Sequence, residues 1–183
     1  SNYIFISDTT CSQIKIFDKG DYHFVRNIGS PGSGAGQLDP PNFFAVDSHS
    51  NVLVSDTGNN RVLKFDILGQ FIGQIGGDVT GGGFLSPQGI ALKSTGEIYI
   101  ADQGHDRIVI LNANGTFKNT LGVSGTGNGD FTLPLYVAFD SGDHLYVSDE
   151  PSSNRIQKFN NDSNHTFLFS TASYLDNNGI NRS

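Results

Sequence analysis

The chain has no tryptophan, no methionine, one cysteine, and only 11 Lys and Arg against 18 Asp and Glu. Each shortage excludes something. Cys11 stands alone, so no internal disulfide can form and the paired spacing of a thiolate zinc site is missing. It reads as a free thiol in a turn, with an intermolecular disulfide as the alternative. The net charge of −7 argues against nucleic acid as a partner, because binding a phosphate backbone needs clustered Lys and Arg. No run of about 18 apolar residues occurs, so membrane insertion is not expected. Neither an initiator methionine nor a signal peptide precedes Ser1, and the chain is therefore expected to be a processed or excised segment of something longer. No GxSxG elbow marks a nucleophile.

What is present is repetition. In NVLVSDTGNNRVLKFD (Asn51 to Asp66) two short β-branched, alternating runs flank a Gly/Asn turn, the pattern of a hairpin with a buried face. The same frame recurs at YIFISDTTCSQIKIFD (Tyr3 to Asp18), EIYIADQGHDRIVILN (Glu97 to Asn112) and HLYVSDEPSSNRIQKFN (His144 to Asn160). Aligning the Asp that closes each second strand gives Asp8, Asp56, Asp102 and Asp149, a period of 46 to 48 residues. Such a period with four strands per unit and no helical stretch points to radial sheet repeats.

Each unit adds a first strand after a Pro: PNFFAVD from Pro41, PQGIALK from Pro87 and PLYVAFD from Pro134. A fourth strand follows at HFVRNIG, FIGQIG, TFKNTLG and TFLFS. The reading is one domain over residues 1–183 with blades at 3–29, 41–76, 87–122 and 134–170. Gly-rich connections, SPGSGAGQLDP, GDVTGGGFLSP and VSGTGNGDFTLP, lead into each Pro. They end in a strand and open no helix, so they read as flexible inter-blade connections, not phosphate cradles. The chain starts on a second strand, and LDNNGIN (Leu175 to Asn181) resembles LSPQGIA (Leu85 to Ala91). A C-terminal strand near 175–181 would therefore complete the first blade and remove an exposed edge. Starting a fifth blade, or pairing with a neighbouring copy, are the alternatives.

The units PxGIALxxxGEIYIADxGxxRIxxL and VLVSDTGNNRVLKFDxxGxF resemble NHL repeats over essentially the whole chain. The resemblance implies an all-β propeller of four-stranded blades, four of them here, where NHL propellers usually have six. It also implies that the Asp and Arg of the DxGxxR turn are structural: Asp56 with Arg61, Asp102 with Arg107, and Asp149 with Arg155. The Asp is expected to accept hydrogen bonds from the turn's own amides, and the Arg to meet a carboxylate or stack along the blade. In the first blade Asp8 faces Gln13, and the charge is lost.

Among enzymes of this kind the peptidyl-hydroxyglycine amidating lyases are the most similar, through SDTTCSQIKIF in the first blade. Their zinc-binding His residues follow the Pro of the first strand. The matching positions here are Asn42, Gln88 and Leu135, so the zinc site does not carry over. His23, His49, His105, His144 and His165 fall at unlike places in the repeat and read as solvated surface residues, not as three convergent metal ligands. A calcium site would want several inward carboxylates, and none aligns. No catalytic residue, metal or cofactor is therefore expected.

The expected function is a non-enzymatic, extracellular binding or assembly module. Its turn face would carry Asn59, Asn60, Arg61, His105, Asp106, Arg107 and residues Ser153 to Arg155, with Asn42, Gln88 and Tyr136 nearer the channel. Polar groups on short turns of a rigid scaffold are a usual place for recognition, and the expected partner is a protein, a peptide or a glycan. Asn-x-Ser/Thr triplets at Asn114, Asn161, Asn164 and Asn181 make these residues candidate glycosylation sites in a secreted protein. Self-association through the terminal strand or Cys11, giving a filament or larger assembly, is the structural alternative. A metal-dependent lyase or lactonase is the enzymatic one.

Overall fold

A computed structural model describes residues 2–77, 79–80, 82–149 and 154–172. In chain order, β1 (Tyr3–Asp8), β2 (Gln13–Asp18) and β3 (Phe24–Ile28) form a three-stranded antiparallel sheet. The short strands β4 (Ser30–Pro31) and β5 (Gln37–Leu38) pair in parallel. Three four-stranded antiparallel sheets follow. The second blade holds β6 (Pro41–Val46), β7 (Val52–Asp56), β8 (Arg61–Phe65) and β9 (Phe71–Ile75). The third holds β10 (Pro87–Leu92), β11 (Ile98–Asp102), β12 (Arg107–Leu111) and β13 (Phe117–Leu121). The fourth holds β14 (Pro134–Phe139), β15 (Leu145–Asp149), β16 (Arg155–Phe159) and β17 (Phe167–Ala172). This is the all-β propeller architecture expected from the repeats. The anticipated closing strand at 175–181 lies outside the described residues.

The blades stack face to face through three apolar layers. Ile14, Ile16, Ile28 and Leu38 of the first blade and its outgoing connection meet Val52, Val54, Leu63 and Phe65 of the second. Leu53, Val62 and Ile75 turn the other way, onto Ile98, Ile100, Val109 and Leu111. Tyr99, Ala101, Ile108 and Ile110 then pack on Val137, Leu145, Val147 and Phe159. A strand covered on both faces has no polar side to show, which is why VLVSD and IYIAD carry apolar residues on both faces. Each fully buried Leu, Ile or Phe contributes on the order of 1.5–3 kcal/mol relative to leaving it exposed.

Within each blade the antiparallel order places two kinds of loop on each side of the disc. The Gly/Asn turns and the connections into the next Pro share one face. The turns between first and second strands, and between third and fourth, share the other. Two Gly/Asn turns are one-turn 3-10 helices, Thr57–Asn59 and Gln103–His105, and each ends in a left-handed residue, Asn60 at φ 54° and Asp106 at φ 51°. Asn and Asp tolerate that conformation best among residues with a side chain.

Candidate functional site

The recurrent Asp and Arg do something different from what their spacing alone implies. Asp56, Asp102 and Asp149 are completely buried. One oxygen of each accepts an amide of the incoming connection, 17 residues upstream: Asp39 N at 2.5 Å, Leu85 N at 2.7 Å and Thr132 N at 2.6 Å. The other oxygen takes Nε of Arg61 at 2.6 Å, Arg107 at 2.7 Å or Arg155 at 3.2 Å. Each guanidinium then donates its remaining hydrogens to carbonyls of the same connection. Arg61 reaches Ser33, Gly34 and Gln37; Arg107 reaches Thr80 and Gly83; Arg155 reaches Thr126 and Asp130.

Two expectations are corrected here. The Asp residues do not serve only their own turns, because the amide they hold belongs to the connection. The connections are not loose either, since a buried ion pair, a bidentate fork and, in the first of them, the β4–β5 ladder pin them. Asp8 keeps the local pattern, accepting Cys11 N at 3.0 Å. Its lost Arg is replaced from two residues beyond Gln13, by Lys15 at 2.6 Å. That hydrogen bond, with the one from Cys11, lowers the Asp8 carboxyl to about 2. Cys11 itself is free and exposed.

The polar turn residues are engaged in the same way. Asn59 donates to Gly32 O and to Asp56, and His105 holds Asp102 at 2.9 Å. Asn60 accepts Ser86 N at 2.7 Å, and Asp106 accepts Leu133 N at 2.9 Å and the Ser124 hydroxyl at 2.7 Å. Each therefore ties its own blade to the entry of the next. The close approach explains the neighbouring glycine: a Cβ on Gly58 would lie 2.2 Å from the Asp39 carbonyl oxygen.

A different set of polar residues lies at the starts of the first strands. Each of the three described first strands carries a β-bulge one residue after its Pro. The ladder runs Pro41↔Asp56 then Phe43↔Ser55, Pro87↔Asp102 then Ile90↔Ile100, and Pro134↔Asp149 then Tyr136↔Ser148. The extra residues are Asn42, Gln88 and Leu135, the three positions aligned above. Bulges re-aim side chains and interrupt pairing. Here two bulged amides meet one from the 3-10 turn: Asn42 Nδ2 donates to Gln88 Oε1 at 3.3 Å, and Gln88 Nε2 donates to Gln103 Oε1 at 3.3 Å. Ser55 holds the Gln88 carbonyl at 2.5 Å. Gly89 lets the next blade approach, since a Cβ there would lie 2.7 Å from Leu135 O. Beside the amides, the Tyr136 ring is 53 % exposed and packs edge-to-face on Phe43, centroids 4.9 Å apart. Phe43 belongs to the second blade and Tyr136 to the fourth, so the aromatic contact bridges non-adjacent blades.

On the opposite face, clefts of about 390 and 230 Å³ open between blades. The smaller is lined by Lys93, Glu97, Tyr99, Lys118 and His165. His165 is not a solvated surface residue, as its sequence context implied. It is half-buried, with Nε2 at 2.7 Å from the Tyr99 hydroxyl, and burial followed by the nearby Lys93 lowers its pKa below 6.5. Burial likewise raises the Tyr99 hydroxyl. Nothing in the polar run NNDSNHTF marks that histidine as packed. His144 is also engaged, on Asp140 at 3.0 Å, whereas His23 is exposed and bonded to Asp21 at 2.5 Å. Asp18, Asp21 and His23 form the one potential metal-ligand group among the described residues, with Asp18 partly buried and the other two exposed on this face.

Asn114, Asn161 and Asn164 are exposed on loops of this second face, with the Asn114 Oδ1 accepting the Thr116 amide and hydroxyl and Asn161 donating to Gly142 O. Ser153 and Asn181 lie outside the described residues.

Residues 1–89 match a family model described as a 6-bladed beta-propeller. No curated protein sequence matches the chain. Solved structures resemble it in fold at low identity. A streptogramin B lyase is 19 % identical, with 87 % of this chain and 48 % of that one covered and a TM-score of 0.65. Hydrazine synthase of Kuenenia stuttgartiensis is 14 % identical, with 92 % and 45 % covered and a TM-score of 0.73. A chain of the nidogen/laminin complex is 18 % identical, with 87 % and 56 % covered and a TM-score of 0.66. The chain thus spans about half the length of the propellers it resembles.

Proposed function

We propose that this propeller segment is a non-enzymatic binding module that captures an uncharged ligand at the channel mouth of the turn face. One observation carries the reading. The arginines of that face among the described residues are spent on holding the connections, while Asn42 and Gln88, set by repeated bulges, and Gln103 of the neighbouring 3-10 turn stand near the exposed ring of Tyr136. Amides that both donate and accept, next to an aromatic surface, orient a polar neutral ligand without a charge to fix. Solved propellers of this fold include a lyase and a chain of a protein complex, so fold alone does not choose between chemistry and binding. The choice here rests on the site: amide and leucine side chains occupy the bulged positions, and an amide cannot act as a general base near neutral pH.

Secretion accompanies this reading, with glycans on Asn114, Asn161 and Asn164 covering the face away from the ligand. Isotope-labelled protein titrated with a mixed panel of neutral oligosaccharides and end-blocked, uncharged peptides tests it. Amide shifts should cluster at Asn42, Gln88 and Tyr136. Shifts only on the opposite face, or none with any probe, would overturn it.

Assembly is the second reading, favoured by the uncovered faces of the end blades. Ile6 is 49 % exposed and Ile156 45 % exposed, although their counterparts in the middle blades are sealed. A chain that stays monomeric at high concentration, by light scattering, would remove it.

A further inference from the structure

Resting on the channel-mouth reading, we infer that the ligand is a neutral carbohydrate, with one sugar ring stacked on Tyr136 and its hydroxyls read by the bulged amides. A peptide recognised on a sheet is usually added as an extra strand, which needs an uninterrupted row of edge N–H and C=O groups. Each of the three described first strands is bulged at its second residue, after Pro41, Pro87 and Pro134, and a Pro offers no N–H. The edge is therefore broken where a peptide would have to pair, and recognition falls to side chains.

Those side chains suit hydroxyl groups. Asn42, Gln88 and Gln103 form a relay with both contacts at 3.3 Å, long enough for an incoming hydroxyl to compete for either end. Each amide has two donors and an acceptor of two lone pairs, so the chain retains capacity on both sides of every link. Gln88 is 7 % exposed and its carbonyl accepts the Ser55 hydroxyl, so this relay is fixed before binding and little side-chain entropy is left to lose. Tyr136 supplies the apolar surface for the C–H face of a sugar, with Phe43 bracing its ring edge-to-face and the Tyr136 amide donating to the Ser148 hydroxyl at 3.0 Å. Charge selects against the ionic alternatives. Arg61, Arg107 and Arg155 are each paired with a buried Asp and with backbone carbonyls, so among the described residues none of these turn-face arginines is left free to greet an acidic sugar or a phosphate.

Calorimetric titration of the whole chain with neutral tetrasaccharides (β-1,4-linked glucose, α-1,4-linked glucose and β-1,4-linked N-acetylglucosamine) and, separately, with end-blocked uncharged peptides tests the assignment. At least one saccharide should bind, with an affinity unchanged between low and high salt. Tyr136→Ala should weaken it about tenfold or more, a loss of about 1.4 kcal/mol, while Tyr136→Phe keeps most of it. Tyr136 is exposed, so the variant folds, and an unchanged melting temperature confirms that. Saccharide binding indifferent to Tyr136→Ala overturns the inference. Peptide binding sensitive to Tyr136→Ala without any saccharide binding overturns the carbohydrate assignment and leaves the channel-mouth reading standing. Absence of binding in both series overturns both.

Discussion

The second strands of the four blades are close copies, yet β7 and β11 are buried at every residue while β15 alternates buried with half-buried residues and β1 is nowhere fully buried. Ile6, Val54, Ile100 and Val147 occupy one repeat position. Val54 and Ile100 are fully buried, and Ile6 is half exposed. Equal sequence with unequal burial means that the repeat specifies a blade, and the neighbours decide what its residues are worth. Stability in such arrays divides into terms within a unit and terms between units, and the end blades have half of the second kind.

The largest test compares the buried clamps with their end-blade counterpart. Asp102→Ala strands Arg107 and the Leu85 amide, and should cost about 3–5 kcal/mol, as breaking a buried pair does; denaturant unfolding measures it. Asp8→Ala removes a partly exposed pair with Lys15 and should move the midpoint very little. Equal losses would break the comparison. Next in size, Ile100→Ala should cost about 2–5 kcal/mol through the cavity it leaves, and Ile6→Ala about 0.5 kcal/mol, as surface changes do. Repeating the Ile6→Ala measurement with a covering partner or a longer chain sharpens the point, because its cost should climb towards that of Ile100→Ala.

A smaller effect is expected at the left-handed turn residues. Asp106→Ala leaves the Leu133 amide without its acceptor and should lose about 1 kcal/mol. Asn154, its exposed equivalent in the fourth blade, shares the left-handed backbone at φ 41°, so Ala there should cost the conformational part of that loss but lower the melting temperature less than Asp106→Ala. The smallest concerns pH at the junction of the third and fourth blades, where Tyr99, Lys93, Glu97, Lys118 and Asp162 surround His165. Above pH 6.5 His165 is neutral whether the chain is folded or unfolded, and its packing counts in full. As pH falls below 6.5 the unfolded chain binds the proton first, so stability drops until the lowered folded pKa is passed. His165→Gln should flatten the melting profile over that window, and an unaltered slope would show that His165 does not bolt the junction.

Much of the scaffold was legible because it is local. A Pro before each first strand, two-residue alternation and a Gly/Asn turn after each Asp are short-range signals, repeated often enough to identify four units. The importance of Asp56, Asp102 and Asp149 was legible from their recurrence, and their actual partners were not. Those partners lie 17 residues upstream for the carboxylates and 24 to 29 upstream for the arginines. Such distances exceed the few residues over which propensity and alternation act, so the pairing leaves no short-range signal. The same reason hid the packing of His165 on Tyr99, 66 residues apart.

The sequence by itself determined the all-β repeat, the order of strands in a blade and the alignment that singled out Asn42, Gln88 and Leu135. Backbone propensity and side-chain alternation act within a few residues, and they suffice for that. Only the tertiary structure decided that these positions are bulges, that Tyr136 and Phe43 meet between the second and fourth blades, and that the conspicuous arginines of the turn face are consumed by its loops. Those outcomes depend on how blades fill the space between them, since a buried charge must find its partner wherever the stacked sheets put one.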